Sequence, residues 1–380
     1  MALKDLLSNY QSAKKAHNLT KDTAQQIDSN IYLLDYNNEY YLDEILESGC
    51  SSIAQLIGFA TKKFNKDFII GDQKGSGCTT FDLHNPDGDH LLARNFDFKE
   101  APCFVVWTHP EGKYASLAVV DNNFMLYGKK HSLWKKDSSQ VLLAPYCCVD
   151  GMNEEGLAIA VLQIRAAATK QTDKSKKDIT TTLMIRAVLD TCKNVDEAIE
   201  LISSYNMIDS LFTNYHYQIV DRSGRSVTVE YINNELKIYE RNSEKYPAAG
   251  SIFEDDGLDF QYVCNYAMTK NTDGFKAEMH GSDRTDAVIK AMGENNNVMT
   301  ELEAMDLLSH VMLDYDHPKY PWNIISLWSI VYNTEKGTVK IAANGEFERI
   351  YSFSIAEPCK ILAKESITNS KYTKTEWEYL

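Results

Sequence analysis

From residue 104 onward, short apolar runs alternate with paired helical segments, and this alternation restricts the fold more than any other feature of the chain. Residues 104–108, 115–120, 141–144 and 156–164 are rich in β-branched and aromatic side chains, and turn sequences such as Asp121-Asn122-Asn123 separate them. Two helices are predicted next, over 181–191 and 195–205; Asn194 caps the second and Glu197 stands three residues on. Strand signals resume at 216–220, 226–231 and 236–239. A second helix pair follows at 284–292 and 301–312, where Thr300 and Glu303 form a capping-box pattern. Runs at 326–332, 338–343 and 349–354 close the series. Connections of hairpin length favour antiparallel sheets covered by helices over a parallel βαβ sheet, so the expected class is α+β.

Upstream, residues 79–81 and 91–93 flank His84-Asn85-Pro86-Asp87-Gly88-Asp89, whose Asn-Pro and Asp-Gly steps mark the turn of a hairpin. Folding that hairpin carries Cys78 toward Arg94 and Asp97. Residues 1–77 read as largely helical. Ile45, Leu46, Cys50, Ile53, Leu56, Ile57 and Ala60 recur at helical spacing within 43–64, which gives one helix with a buried stripe. The section ends in Gly71-Asp72-Gln73-Lys74-Gly75-Ser76-Gly77, the best candidate boundary. Locally, Cys78 has two readings. Gly75 and Gly77 allow an unusual backbone approach while Arg94 favours a thiolate, or a glycine loop simply enters a strand with Arg94 and Asp97 as a surface ion pair.

The balance of 39 basic against 54 acidic residues, a net charge of −15, disfavours nucleic acid and anionic membrane as partners. The Lys-rich stretch 166–178 lacks interleaved aromatic residues and reads as an exposed loop. No segment has the roughly 20 apolar residues needed to span a bilayer, and the expected location is cytoplasmic. Eight cysteines without a Cys-x-x-Cys pair suggest neither a disulfide framework nor a zinc site; Cys147-Cys148 reads as two strand residues. No metal or other cofactor is implied.

Gly77-Cys78-Thr79-Thr80-Phe81, Gly88 and Ala93-Arg94-Asn95-Phe96-Asp97 together resemble the N-terminal nucleophile cysteine hydrolases of the choloylglycine hydrolase and penicillin V acylase superfamily. The residues before Cys78 resemble its propeptide-bearing branch, which contains isopenicillin N acyltransferase and acid ceramidase-like amidases. The block from Asp150 to Ala160 resembles a further family motif, as do the meander 216–230, Cys264-Asn265-Tyr266 and, loosely, Gly281-Ser282-Asp283-Arg284. The resemblance covers about residues 75 to 355. It implies an αββα sandwich of two antiparallel sheets, with 1–77 as a helical propeptide-like segment and 78–380 as the catalytic domain. Cleavage of Gly77-Cys78 would expose Cys78 as nucleophile, with its own α-amine as proton shuttle. Arg94 and Arg284 would hold the thiolate and local charge, Asp97 the α-amine, and Asn265 the tetrahedral oxyanion. The second oxyanion position falls on Gln163, and the residue preceding Asn265 is Cys264 where the family has Thr.

The implied activity is hydrolysis of a linear amide, with an N-acyl amide of bile-salt or penicillin V type as substrate, through an acyl-Cys78 thioester. Transfer of the acyl group is the alternative. The cleaved segments are expected to stay associated, and a homo-oligomer is the expected assembly. Two other readings remain: a papain-like pairing of Cys78 with His216 or His84, and a non-enzymatic binding module. Trp107, Phe124, Trp134, Tyr146 and Trp322 are candidate acyl-pocket aromatics, with core packing as the competing role.

Overall fold

The computed structural model describes residues 24–68, 77–124, 139–164, 166–209, 213–272, 280–314 and 324–372. Two short strands come first, β1 (Ala24–Gln26) and β2 (Ile31–Tyr36). Two helices follow, α1 (Leu42–Ser48) and α2 (Ile53–Phe64). The single helix predicted over 43–64 is broken because Gly49 adopts φ 76° and Cys50 donates its backbone N–H to the Asp178 carbonyl at 2.7 Å. Ser52 restarts the helix by accepting from the Gln55 backbone N–H.

The hairpin appears as β3 (Gly77–His84) and β4 (His90–Lys99), followed by β5 (Cys103–Thr108) and β6 (Ser116–Asp121). The strand predicted at 141–144 is instead a 3₁₀ segment, Ser139–Tyr146. Pro145 lacks the N–H that a ladder requires, and the strand begins beyond it as β7 (Cys148–Asn153), paired with β8 (Ala158–Ile164). The chain then runs through β9 (Lys177–Thr180), α3 (Thr181–Thr191), α4 (Val195–Ser204), β10 (Tyr205–Ile208), β11 (Asn214–Val220), β12 (Ser226–Ile232) and β13 (Glu235–Glu240). The last elements are β14 (Tyr262–Val263), α5 (Ser282–Glu294), α6 (Glu301–His310), β15 (Ile324–Asn333), β16 (Thr338–Ala343), β17 (Ile350–Ser354) and β18 (Ala363–Glu365). Both predicted caps form: Asn194 accepts from the Glu197 N–H, and Thr300 and Glu303 complete a capping box.

Strands β1-β2-β5-β6-β7-β8-β11-β12-β13 make one large sheet and β14-β3-β4-β15-β16-β17-β18 the other, while β9 and β10 form a separate parallel pair. The helices α3 and α4 follow β9 on the first sheet's side, with α3 packed on β7 and β8, while α5 and α6 pack on the second sheet. This is the αββα sandwich that the resemblance implied. Its core lies between the sheets, where Trp107, Trp328 and Tyr332 are fully buried.

Residues 24–36 depart from the helical expectation, because β2 pairs in parallel with β5 as a member of the first sheet. Ile31, Leu33 and Leu34 are completely buried there. At roughly 1.5–3 kcal/mol for each fully buried aliphatic side chain, this strand is an integral part of the core. Tyr40 extends the attachment by donating its hydroxyl to Asp190 of α3 at 2.5 Å.

Candidate active site

In the β3–β4 ladder Cys78 pairs with Phe96 and Thr80 with Arg94, while Gly77 pairs with Asp97 and Thr79 with Asn95. Because side chains alternate along a strand, these pairs lie on opposite faces of the sheet. The expected thiol, cation and carboxylate are therefore divided. Cys78 and Arg94 point between the two sheets, and Asp97 points away, toward α5. Gly77 serves space rather than conformation: a Cβ there would lie 2.8 Å from Asp97 Oδ2 and 3.1 Å from Leu313 Cδ1. Gly75 lies outside the described residues.

On the inner face, Arg94 Nη2 is 3.6 Å from Cys78 Sγ and donates to the Val161 carbonyl at 2.6 Å. Its Nη1 donates to the Val149 carbonyl at 2.8 Å and lies 2.9 Å from Asp150 Oδ2. Asp150 in turn accepts from Trp328 Nε1 at 3.0 Å and from the Tyr332 hydroxyl at 2.5 Å. All of these groups are buried, so the surface ion pair of the competing reading is not formed. Burial pushes the Cys78 thiol up to about 11; Arg94 opposes this and the Asp97 charge adds to it. In the uncleaved chain desolvation thus outweighs the arginine, and the thiol is protonated at neutral pH.

On the outer face, Arg284 enters from the first turn of α5. Gly281 precedes that helix at φ 91°, where a Cβ would stand 2.2 Å from Cys264 Sγ and 2.6 Å from Arg284 Nη2. Arg284 Nη1 donates to Asp97 Oδ2 at 2.8 Å and Thr79 Oγ1 at 2.9 Å, and Nη2 donates to Asn265 Oδ1 at 2.8 Å. The same Asn265 oxygen accepts the backbone N–H of Cys78 at 2.7 Å. Asn265 Nδ2 donates to the Gln163 carbonyl at 2.9 Å, and Gln163 Nε2 donates to Thr213 Oγ1 at 2.7 Å. Both side-chain amides expected at the oxyanion are therefore engaged within the protein. Cys264 donates its thiol to the Cys78 carbonyl at 3.1 Å.

A cavity reaches Cys78, lined by the apolar Phe96, Phe98, Phe124, Val149 and Val161 together with Gln163, Thr181, Thr182 and Tyr215. Its free space is about 30 Å³, room for water but not for an acyl chain. Of the candidate aromatics only Phe124 lines it. Trp107 donates to the Ser354 carbonyl in the core, Tyr146 bonds the Tyr40 carbonyl, and Trp134 and Trp322 lie outside the described residues.

Neither histidine of the papain-like reading serves Cys78. His216 Nε2 lies 2.7 Å from the Cys264 carbonyl, and His84 stands at the far end of β3 beside His90. Asn153 holds the turn after β7; its Oδ1 accepts the N–H groups of Glu155 and Leu157. No metal-binding cluster occurs among the described residues, and no helix among them is long and apolar enough to cross a membrane. Sequence reasoning missed Ser326, Trp328 and Tyr332 as partners of the site, and gave Asp150 no role although it opens the motif block 150–160.

Residues 78–247 match the family of linear amide C–N hydrolases, choloylglycine hydrolase family, a match that begins at Cys78. The bile salt hydrolase/transferase of Clostridium perfringens (strain 13 / Type A) is 26% identical over 179 residues, 43% of this chain and 51% of that protein. The chain thus spans about half the length of this curated relative. A variant of the conjugated bile acid hydrolase from Clostridium perfringens has a similar fold, with a TM-score of 0.52 and 18% identity over 78% of this chain and 100% of that one. A mutant of the same enzyme gives 0.51 and 18% over 78% and 98%.

Proposed function

We propose that the chain is a cysteine amidohydrolase made competent by cleavage of its own Gly77-Cys78 bond, a reading supported by the match of residues 78–247 to the linear amide C–N hydrolases of the choloylglycine hydrolase family. Hydrolysis of that bond consumes one water and leaves a carboxyl group on Gly77 and a free α-amine on Cys78. The observation that carries this reading is the position of Asn265 Oδ1, which receives both the Cys78 N–H and Arg284. An acceptor is already in place at the atom that becomes the amine. Removal of Gly77 also vacates the space beside Asp97 Oδ2, where the new ammonium group gains a counter-charge.

An α-amine titrates near pH 8, so at neutral pH its neutral fraction takes the Sγ proton, and the resulting ammonium later delivers it to the leaving amine. The Cys78 sulfur attacks the substrate carbonyl, the C–N bond breaks, the amine leaves protonated, and water hydrolyses the remaining thioester. Arg94 favours the thiolate on the inner face, and Asp97 and Arg284 orient the amine end. Asn265 and Gln163 supply oxyanion donors once cleavage rearranges their bonds. Phe96, Phe98 and Phe124 supply apolar surface of the kind that contacts the acyl part of an N-acyl amide of bile-salt or penicillin V type, and the cavity of about 30 Å³ must widen to admit it. The relative's description as a hydrolase/transferase favours acyl transfer to an amine as the second reading.

The boundary between 1–77 and 78–380 is a cleavage boundary and not a packing boundary. The pairing of β2 with β5 and the Tyr40–Asp190 bond keep the two pieces together in a cytoplasmic enzyme. Intact mass and N-terminal sequencing of the purified protein are expected to give a fragment beginning at Cys78. A panel of N-acyl amides read by amine release then identifies the substrate. Cys78→Ala is expected to abolish both cleavage and turnover; an intact, active chain overturns the proposal.

A further inference from the structure

Ser326 has no role in any of the motifs above, yet among the described residues it is one of two side chains hydrogen-bonded to the Asp97 carboxylate. We propose that Ser326 is a positioning residue that fixes Asp97 for the new Cys78 amine, through a hydroxyl donated from a β-bulge in β15; this rests on the reading of Asp97 given above. The Ser326 hydroxyl oxygen lies 2.5 Å from Asp97 Oδ1 and accepts the Leu313 backbone N–H at 2.9 Å. The Ser326 N–H donates back to the Leu313 carbonyl at 2.9 Å. With its oxygen occupied by an N–H, the hydroxyl has one direction in which to donate, toward the carboxylate. Asp97 Oδ2 takes Arg284, so the two carboxylate oxygens are held from opposite sides by different elements.

The bulge makes this contact possible. Along β15, Ser326 pairs with Asp97 and Trp328 with Phe96, leaving Leu327 as the extra residue. Trp328 and Tyr332 face inward to Asp150. Without the extra residue, the period of two would put Ser326 on that same inner face, away from Asp97. One strand thus serves both carboxylates of the site, Asp150 directly from one face and Asp97 from the other across a single bulge.

Ser329 is an internal control. It is equally buried in the same strand and donates an O–H of similar length to Asn95 Oδ1 at 2.6 Å, but it does not touch the site. The charged and titratable groups around Asp97 are Arg284 from α5, Arg94 from β4, and the thiols of Cys78 and Cys264. Burial raises the Asp97 carboxyl, and Ser326 and the arginines oppose that rise, so loss of the hydroxyl raises it further.

The test uses the full chain with Ser326→Ala, Ser326→Thr, Ser329→Ala and Asp97→Asn. The rate of Gly77-Cys78 cleavage is followed by intact mass, the pH profile of amide turnover is recorded, and thermal melting monitors the fold. A hydrogen bond to a charged group supports an expected loss of roughly 10–100-fold for Ser326→Ala. The acid limb of its pH profile moves to higher pH, Ser326→Thr recovers rate, and Ser329→Ala keeps the parent profile. Equal effects of Ser326→Ala and Ser329→Ala with an unshifted acid limb overturn the role of Ser326 while leaving that of Asp97 intact. Cleavage of Asp97→Asn at the parent rate overturns the functional reading itself, and the role of Ser326 with it.

Discussion

Arg94 and Arg284 are both buried guanidinium groups paired with a buried carboxylate, one on each face of the same hairpin, and their other bonds differ. Arg94 spends its donors on the backbone carbonyls of Val149 and Val161 and on Asp150, which Trp328 and Tyr332 hold in turn. It meets the reacting chemistry only at sulfur. Arg284 spends its donors on side chains, Asp97, Thr79 and Asn265, and through Asn265 it reaches the Cys78 nitrogen. The sulfur end of Cys78 is therefore set by a rigid, backbone-anchored cation. Its nitrogen end is set by a network of buried side chains, at the amide that the proposed cleavage would turn into an amine.

The largest expected effects come from breaking either pair. Asp150→Ala and Asp97→Ala each strand a buried arginine, with an expected cost of about 3–5 kcal/mol measurable by denaturant unfolding. Equal stability of either variant and the parent would show that the guanidinium finds another partner, and the comparison would lose its basis. Exchanging the arginines sharpens it next. Removal of one preorganised charge is expected to cost roughly 10²–10³-fold in turnover for Arg94→Met, together with slower alkylation of Cys78. Arg284→Met is expected to impair cleavage of Gly77-Cys78 while leaving thiol alkylation of the uncleaved chain near the parent rate. Identical alkylation profiles for the two variants would erase the division between sulfur and nitrogen ends.

Smaller effects concern space and pH. Gly77→Ala places a methyl against Asp97 Oδ2 and is expected to cost about 1–3 kcal/mol and to slow cleavage. In the uncleaved chain the folded thiol titrates near 11 against an ordinary value of 9.0. Its protonated form is favoured by the fold, so this contribution to stability is complete below pH 9 and is lost as pH rises toward 11. Alkylation of an uncleaved Cys78 is expected to rise through the same window. After cleavage the neighbouring α-ammonium lowers the onset, and a reagent assay on both forms checks the shift.

Much of the fold was legible before the structure. The period-two runs, the turn sequences and the two capping signals at Asn194 and Thr300 are local properties, and local physics decides them. Residues 141–144 misled because an apolar run of four is compatible with a strand or a 3₁₀ turn, and only Pro145 argued for the second. The helical reading of residues 1–77 overlooked that Ile31-Tyr32-Leu33-Leu34 forms a fully buried strand, whose continuous apolar run carries no alternation to identify it. In the site, motif resemblance located Cys78, Arg94, Asp97, Asn265, Gln163 and Arg284, and the structure gathers the other five around Cys78. It could not show that Asp97 and the thiol occupy opposite faces, although the period of two implied as much for residues paired with Gly77 and Cys78.

By itself, then, the sequence determined which residues are polar in an apolar setting, where the strands turn and which glycines stand beside Cys78. These follow from side-chain chemistry and nearest-neighbour backbone preference. Only the tertiary structure decided what those residues meet. The Leu327 bulge turns Ser326 to Asp97, residues 24–36 join the sheet of the other segment, and burial drives the Cys78 thiol upward against Arg94. Each of these outcomes depends on register and desolvation between segments far apart in the chain, quantities that exist only once the two sheets have closed on one another.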